Sequence, residues 1–312
     1  MFFPGGFQPH PGPPLIMKGR GRIGMPEVKN PREIKKRIRS VGDTEQLTKA
    51  MKMVASVRFK RAFQMVSAGR PYSKSIRDMV ADVGGSLGDS YENSFFEADK
   101  NAKKELLLVV GSDKGLCGSY NSNVLRAAVK YLNEKGRDNV DVIAVGKKIK
   151  DYLSRRDWNV VDSFLNLYQN FNYESAVQVS ERLTYSFTSG AYNEVTLMYS
   201  EFKNVAQATI KTEQLFPLKL KDGKRQAADY IYEPKLEKIM EVLLPKYIKV
   251  SVYEMLVEAN ASEQGLRMTS MEQANRNARD MIRDLTLVYN KARQGSITRE
   301  LADLVGGAAA VS

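Results

Sequence analysis

The sequence is poor in the residues that most often carry catalytic or metal chemistry. Its 312 residues include one cysteine, Cys117, and one histidine, His10. A single cysteine excludes an internal disulfide, and a lone histidine in a proline-rich segment disfavours a Cys/His metal site or a His-based nucleophile relay. An enzyme built from this chain would have to use carboxylates, lysine or tyrosine. We therefore expect no bound metal and no cofactor.

The sequence also has no uninterrupted apolar run of the length that crosses a bilayer, which is about 18 residues or more. We therefore predict no direct transmembrane segment. The hydrophobic fraction of 43% is typical of a globular protein, and the chain is long enough to bury the cores of one or two domains.

Acidic residues are scarce relative to basic ones, so that the formal net charge is +12. Lys29 to Arg61 alone carries eleven basic residues against three acidic ones. The partner is therefore expected to be acidic. Nucleic acid, an anionic membrane surface and an acidic protein loop all meet this requirement, and charge alone does not choose among them.

Residues 1–30 form a separate compositional block with six of the eleven prolines and six glycines. Such a segment is expected to be extended, because proline and glycine disfavour a helix. It resembles an acid-poor targeting leader, although such leaders are usually serine-rich and amphipathic. We interpret it as an N-terminal extension, a retained remnant of a mitochondrial precursor.

A long helix is predicted over residues 31–88. Asn30 can cap its first turn, and Pro31 occupies a position where its missing N–H has no cost. The apolar stripe of this helix shifts in phase near Gly42 and ends at Gly84-Gly85. About 55 residues of helix would be roughly 80 Å long, too long for a compact domain to enclose. The residues predicted for its packing seam are Ile34, Ile38, Val41, Leu47, Met51 and Val54.

Residues 103–217 show strands that alternate with helices, which predicts a Rossmann-like α/β domain with a largely parallel sheet. We call this region the foot domain. The expected strands lie near residues 106–110, 140–145, 158–161, 194–201 and 206–216, and the expected helices include 121–134 and 174–188.

A polar linker is expected at 218–234, followed by a second long helix at 235–305 and a slim apolar tip at 306–312. The apolar and small residues of this second long helix recur at alternating spacings of three and four, which is typical of a coiled coil. The best partner in the chain is the first long helix, and because the chain returns, the two helices should pair as an antiparallel coiled coil. The predicted seam residues are Met271, Ala274, Ala278, Met281, Leu285, Val288 and Ala292.

The loop Gly111–Gly118 follows the first strand and precedes a helix, where backbone N–H groups can hold a phosphate. Its spacing, G-x-x-x-G-x-x-G, lacks both the Lys-Ser/Thr ending of a Walker loop and the G-x-G-x-x-G of a dinucleotide site. A nucleotide-binding α/β enzyme therefore remains an alternative hypothesis, with a structural turn or a protein contact as the favoured interpretation. A basic nucleic-acid-binding protein is a further alternative, based on the run Arg32 to Arg39.

Three stretches of this sequence resemble the gamma subunit of F-type ATP synthases. They are Leu47 to Ala55, Ser112 to Gly118, and Leu285 to Gln294 with the Ile297-Thr298 and Val305 to Ala308 that follow. They occur in the order of that family and at its approximate separations, over about 280 residues.

The resemblance implies a non-catalytic rotor in the central stalk. Its partners would be the alpha and beta subunits of the catalytic ring, small stalk subunits of the delta or epsilon type, and the membrane c-ring, with no nucleic acid. By the family's pattern, the lever of the beta subunit would contact Lys114, Cys117, Arg293 and Gln294. The family often has arginine where this chain has Lys114. The lysine keeps the positive charge but not the bidentate pairing with a carboxylate that arginine offers.

The resemblance and the proline-rich leader together predict a peripheral location on the matrix side of the mitochondrial inner membrane. The alternative is the cytoplasmic side of a bacterial plasma membrane.

Overall fold

The computed structural model describes residues 30–87, 93–204, 207–219 and 232–311. Most of the expected extension 1–30 and linker 218–234, together with Ser312, therefore lies outside the described residues. The helices are α1 (Pro31–Leu87), α2 (Tyr120–Lys135), α3 (Lys147–Ser154), α4 (Tyr173–Thr188) and α5 (Leu236–Val311). The strands are β1 (Glu105–Val110), β2 (Val140–Val145), β3 (Val160–Phe164), β4 (Glu194–Asn204) and β5 (Gln207–Phe216).

The chain divides into two units, one with residues 41–282 and one with residues 1–40 and 283–312. We call them the larger and the smaller unit and describe each by itself. The larger unit contains the whole foot domain and long parts of both α1 and α5.

The five strands form one sheet in the order β3-β2-β1-β4-β5. The first four strands are parallel, and β5 pairs with β4 in the antiparallel direction. Every residue of β1 and β2 is buried, as expected for central parallel strands that are covered on both faces. The predicted fold class, an α/β domain with long terminal helices, is confirmed.

The two faces of the sheet are covered by different helices. Leu107 and Val109 of β1 pack with Val124 of α2 and Ile149 of α3 on one face. The alternate residues of β1 point to the opposite face, because side chains alternate along a strand. There they join a core to which three helices contribute. Its members include Val179 and Leu183 of α4, Ile76 and Val80 of α1, and Leu244 and Ile248 of α5. The two long helices are thus part of the core of the foot domain.

Within the larger unit, α1 and α5 run antiparallel. Arg77 Nη1 contacts Glu254 Oε2 at 2.6 Å, Arg70 Nη2 contacts Glu258 Oε1 at 3.2 Å, and Lys52 forms an ion pair with Glu272. The residue number on α5 rises as the number on α1 falls, which is the signature of antiparallel helices. We call residues 41–87 of α1 and 236–282 of α5 the coiled coil.

The buried face of α1 differs from the predicted seam. Leu47 and Val54 were expected to pack, but they are 55% and 54% exposed. Thr48 and Ala55, one residue further along, are buried instead, whereas Met51 and Val41 are half-buried. The buried positions 48, 55, 62, 66, 73, 76, 80 and 83 keep heptad-related spacings. The prediction followed the large apolar residues, whereas this seam has small or polar residues at positions 48, 55, 62 and 73.

The seam of α5 in the larger unit shows the same kind of difference. Met271 and Ala278 are buried, but the position between them is taken by Asn275, which is 5% exposed. Ala274, predicted for that position, is half-buried, and Met281 is 40% exposed. The prediction did not place a polar residue in the seam, so it chose Ala274 where the neighbouring Asn275 is buried.

In the smaller unit, Ile34 of α1 and Leu285 of α5 are buried. Ile38 and Ala292 are half-buried, and Val288 is 37% exposed. The apolar tip predicted at 306–312 is helical as far as Val311, as the last turns of α5.

α1 ends at Leu87, one residue before the predicted bound at 88, and it continues through Gly84-Gly85, where its apolar stripe was expected to end. One strand boundary differs from the prediction. β3 begins at Val160 and not near Trp158, because the Trp158 N–H donates to the carbonyl of Leu153 at 3.2 Å in the turn that ends α3.

Asn275 forms a polar layer inside the coiled coil. Its Nδ2 donates to the backbone carbonyl of Glu45 at 2.8 Å and lies 3.4 Å from Thr48 Oγ1. Arg279 Nε donates to Glu45 Oε1 at 3.0 Å, and this hydrogen bond lowers the pKa of Glu45. A single buried polar pair fixes the register of two helices, because only one alignment satisfies it.

We predict that Asn275→Ala lowers the free energy of unfolding of the full chain by about 1–2 kcal/mol, the size of a lost buried hydrogen bond. Urea unfolding measures the change. Gln273→Ala is the matched control, because Gln273 is exposed on the same helix and bonds only within it. Equal effects of the two substitutions would contradict a role of Asn275 between the helices.

Candidate partner-binding site

The glycine loop, residues 111–118, leaves the carboxyl end of β1 and presents a short tip to solvent. Leu116 is 61% exposed and has a positive φ of 60°. Lys114 is also exposed, whereas Cys117 is 2% exposed. An exposed leucine in a left-handed conformation is uncommon and points to a contact surface.

Hydrogen bonds inside the loop hold this conformation. The Ser112 N–H donates to Asn121 Oδ1 at 3.1 Å, and Asn121 Nδ2 donates back to Ser112 Oγ at 2.7 Å. Ser112 Oγ in turn donates to the carbonyl of Lys114 at 2.7 Å. The backbone of the tip is therefore fixed by side chains at its base.

Asp113 connects the loop to two other loops of the foot domain. Its Oδ1 accepts the N–H of Lys147 at 3.0 Å and the N–H of Asn166 at 3.0 Å. Lys147 is the first residue of α3, and Asn166 follows β3. Three connections at the carboxyl edge of the sheet thus meet at one carboxylate oxygen.

Arg267 of α5 holds the loop from the other side. Its Nη2 donates to the carbonyls of Lys114 and Gly115 at 3.3 and 3.4 Å, and its Nη1 pairs with Glu263 Oε1 at 2.6 Å. Glu263 is 5% exposed, and its burial raises its pKa while Arg267 opposes that shift. The buried carboxylate therefore orients the arginine toward the loop.

The contact between the loop and α5 is close. Gly118 has a φ of +59°, and a Cβ at this position would lie 2.4 Å from Ser270 Oγ. Cys117 lies beneath the tip, and burial raises the pKa of its thiol. The expectation that the Cys117 side chain contacts a partner therefore needs correction, because this side chain does not reach the surface and supports the loop from below.

The position that a nucleotide would occupy is filled by protein. In open α/β sheets, ligands bind at the carboxyl ends of the strands where the strand order reverses, which here is beside β1 and β4. Ser200 Oγ of β4 lies 2.8 Å from Ser262 Oγ of α5. The Phe202 ring packs at 5.5 Å from Phe59 of α1. The coiled coil thus covers this crevice, and Asp113 takes the N-terminus of α3.

A groove of about 740 Å³ lies next to the loop tip, between α1, α5 and the connection after β3. Its apolar wall includes Leu116, Met51 and Val54, and the cations Arg58 and Lys114 line it. The carboxylates of Asp113 and Glu263 also line it, but both are bonded within the chain. The exposure of Val54, unexplained by helix packing, follows from its place in this groove. An apolar groove with basic edges fits a partner segment with both apolar and acidic side chains.

Arg293 and Gln294, also predicted to contact the partner, belong to the smaller unit. Both are exposed on α5, whereas Lys114 and Cys117 belong to the larger unit. Sequence reasoning missed Asp113 and Arg267 as residues of the site. The spacing of Glu263 and Arg267, four residues apart in a helix, was the available signal for the second.

Across the described part of the chain, no helix has an apolar segment sufficient to span a membrane. In the same residues, no group of three or more His, Cys, Asp or Glu side chains is placed to hold a metal ion.

Comparisons with known proteins agree with this geometry. A family model described as ATP synthase matches residues 30–311. The ATP synthase gamma chain of Cytophaga hutchinsonii is 39% identical over 298 residues, covering 92% of this chain and all of that protein. The chain belongs to the ATP synthase gamma-chain family. The gamma chain of Chlorobaculum parvum is 35% identical over 294 residues, covering 92% of this chain and 99% of that protein.

Solved structures of mitochondrial ATP synthases contain chains of similar fold. The central stalk and c-ring structure of the Tetrahymena thermophila mitochondrial ATP synthase contains a chain with 30% identity and a TM-score of 0.55, covering 73% of this chain and 99% of that one. A chain of the Euglena gracilis mitochondrial ATP synthase has a TM-score of 0.66 at 20% identity, covering 90% and 94%, and shows likeness of fold. The predicted family and the non-catalytic role are confirmed, and the two alternatives, a nucleotide-binding enzyme and a nucleic-acid binder, are not supported.

We predict that Gly118→Ala lowers the free energy of unfolding by about 1–2 kcal/mol, the cost of a left-handed conformation for a residue with a Cβ. Urea unfolding of the full chain measures the loss. Gly115→Ala in the same loop is the matched control, since its added Cβ would meet nothing within 4 Å. The account of the loop is contradicted if both substitutions have the same effect.

Proposed function

We propose that this chain is the central-stalk rotor of an F-type ATP synthase, which couples proton-driven rotation of a membrane ring to conformational change in catalytic beta subunits. The observation that carries the proposal is the extent of the similarity, which covers all of the Cytophaga gamma chain and 92% of this one. The family match likewise extends over residues 30–311, and so over α1, the foot domain and α5 together.

The architecture of the larger unit suits the transfer of torque. A shaft must resist bending and twisting, and the foot domain must not slip on it. Here the foot domain shares its core with both helices of the coiled coil, through residues such as Val80 of α1 and Ile248 of α5. Close packing of such a core transmits force because it has little free volume.

The groove beside the loop tip is proposed as the contact for the lever of the beta subunit. Leu116, Met51 and Val54 supply apolar surface, and Lys114 and Arg58 supply positive charge. An acidic lever would be attracted by these cations and held by the apolar wall. Arg293 and Gln294 of the smaller unit are proposed as a second contact, on the basis of the family resemblance.

The remaining partners follow from the same role. We propose contacts with the alpha subunits of the catalytic ring, with small stalk subunits and with the c-ring. In this proposal the net charge of +12 attracts acidic surfaces of the protein partners, and no nucleic-acid partner is proposed.

The location depends on the source of the chain. The mitochondrial location stays a prediction from the leader at residues 1–30, whereas the Cytophaga and Chlorobaculum relatives are bacterial. These relatives favour the cytoplasmic side of a bacterial plasma membrane, with the chain as a peripheral subunit.

Purification of the intact synthase through a tag on the beta subunit tests the role. We expect one copy of this chain per catalytic ring, together with the c-ring, on a native gel. If the complex assembles and synthesises ATP without this chain, the proposal is wrong.

Lys114→Glu tests the contact with the lever. We expect the rate of coupled ATP synthesis to fall about threefold or more, because a negative charge would face an acidic partner, while Lys114→Arg retains the rate. The charge-matched control is Lys130→Glu on α2, whose side chain is exposed and is not among the residues that line the groove. Equal rates for the Lys114→Glu and Lys130→Glu enzymes would exclude this contact.

A further inference from the structure

The Asp113 carboxylate lies where an α/β sheet commonly holds an external anion. The N-terminus of a helix that follows a parallel strand presents unpaired N–H groups and a partial positive charge. α3 begins in this way directly after β2, with Gly146 at its N-cap and no capping side chain from Gly146 itself. The Lys147 N–H of this helix is satisfied by Asp113 Oδ1.

The same oxygen receives a second donor from a separate loop. The Asn166 N–H points to Asp113 Oδ1 at 3.0 Å, and Asn166 has a φ of 56°, which is uncommon for a residue other than glycine. Two backbone N–H groups from different loops converging on one oxygen form a small anion-binding concavity. The anion in it is supplied by the chain itself.

The residues next to Asp113 are those of the exposed tip. Lys114, Gly115 and Leu116 follow it directly, and the carbonyls of Lys114 and Gly115 are held by Arg267 of α5. Asp113 therefore bonds the loop to the foot domain, and Arg267 bonds the tip to the coiled coil. Without this anion the tip would keep its bonds to Arg267 and to Ser112 Oγ but would lose its link to α3 and to the loop after β3.

We propose that Asp113 is a positioning residue, an internal anion that sets the loop tip in the orientation required for contact with the beta subunit. Its Oδ1 is bonded within the foot domain, its side chain borders the groove, and it acts through Lys114 and Leu116. This inference rests on the proposed function of the chain. It also explains why a glycine-rich loop at the carboxyl edge of a parallel sheet is not a phosphate cradle, since the cradle is occupied by Asp113.

The first test uses the free full-length chain. Amide hydrogen exchange of Lys147 and Asn166 should be roughly tenfold faster or more in Asp113→Ala, the loss expected when N–H groups lose a charged acceptor. Asp113→Asn should keep most of the protection, because its amide oxygen can accept both bonds. Formate should restore protection in the alanine variant, whereas chloride at equal ionic strength should not. Asp138→Ala, which removes an exposed carboxylate of the same domain, should leave both amides unchanged.

The second test uses the assembled synthase and measures protons pumped per ATP hydrolysed. We expect Asp113→Ala to lower this ratio about threefold or more, with recovery in formate and in Asp113→Asn. Unchanged exchange at the two amides would overturn the internal anion, and a normal pumping ratio in Asp113→Ala would overturn its positioning role. A loss that neither formate nor asparagine restores would also overturn the inference, as it would indicate general misfolding. Failure of the proposed function is a distinct result, because the wild-type chain would then be missing from the synthase.

Discussion

The structure depends on the burial of the two long helices against one face of the sheet. Part of the coiled-coil seam consists of small or polar residues such as Thr48, Ala55 and Asn275. Such positions bury little apolar surface, and hydrophobic stabilisation scales with that surface. Ile76 and Val80 of α1 and Leu244 and Ile248 of α5 instead join the sheet in one core. The foot domain and the coiled coil therefore stabilise each other and are expected to unfold together.

This shared core determines what the carboxyl edge of the sheet can do. In many α/β proteins that edge opens into a ligand crevice, but here α5 approaches so closely that Ser200 and Ser262 lie within hydrogen-bonding distance. The glycine at position 118 permits the approach. The same architecture that elsewhere binds a nucleotide thus holds a helix, and its glycine loop is the surface that we propose for a protein partner. Asp113 and Arg267 secure that loop to the sheet and to α5.

The elements of the foot domain could be predicted from sequence, because its central strands are largely apolar runs that are followed by glycine. β1 and β2 were found at nearly their observed positions for this reason. The second long helix was expected to end at residue 305, but it continues through Gly306-Gly307. Gly84-Gly85 likewise lies inside α1 and does not end it. Glycine lowers helix stability by only about 1 kcal/mol, which a long helix tolerates.

The packing seam could not be predicted in full, and the reason is physical. Burial in a coiled coil depends on which face the partner covers, and small or polar residues such as Ala55, Thr48 and Asn275 satisfy that position here. Leu47 and Val54 then lie outside the seam, and Val54 lines the groove proposed for the beta subunit. The roles of Asp113 and Arg267 were equally hidden, because their partners are distant in sequence and only the fold brings them together.

The most direct test of a foot domain fixed on the coiled coil is a disulfide between β4 and α5. In a chain with Cys117→Ser, the substitutions Ser200→Cys and Ser262→Cys place two thiols where hydroxyl oxygens now lie 2.8 Å apart, within reach of disulfide geometry. The account predicts that the bond forms and that the assembled synthase makes ATP at the same coupled rate in the oxidised and reduced states. Loss of coupling on oxidation, with full recovery on reduction, would show that the foot domain must move on the coiled coil and would contradict the account.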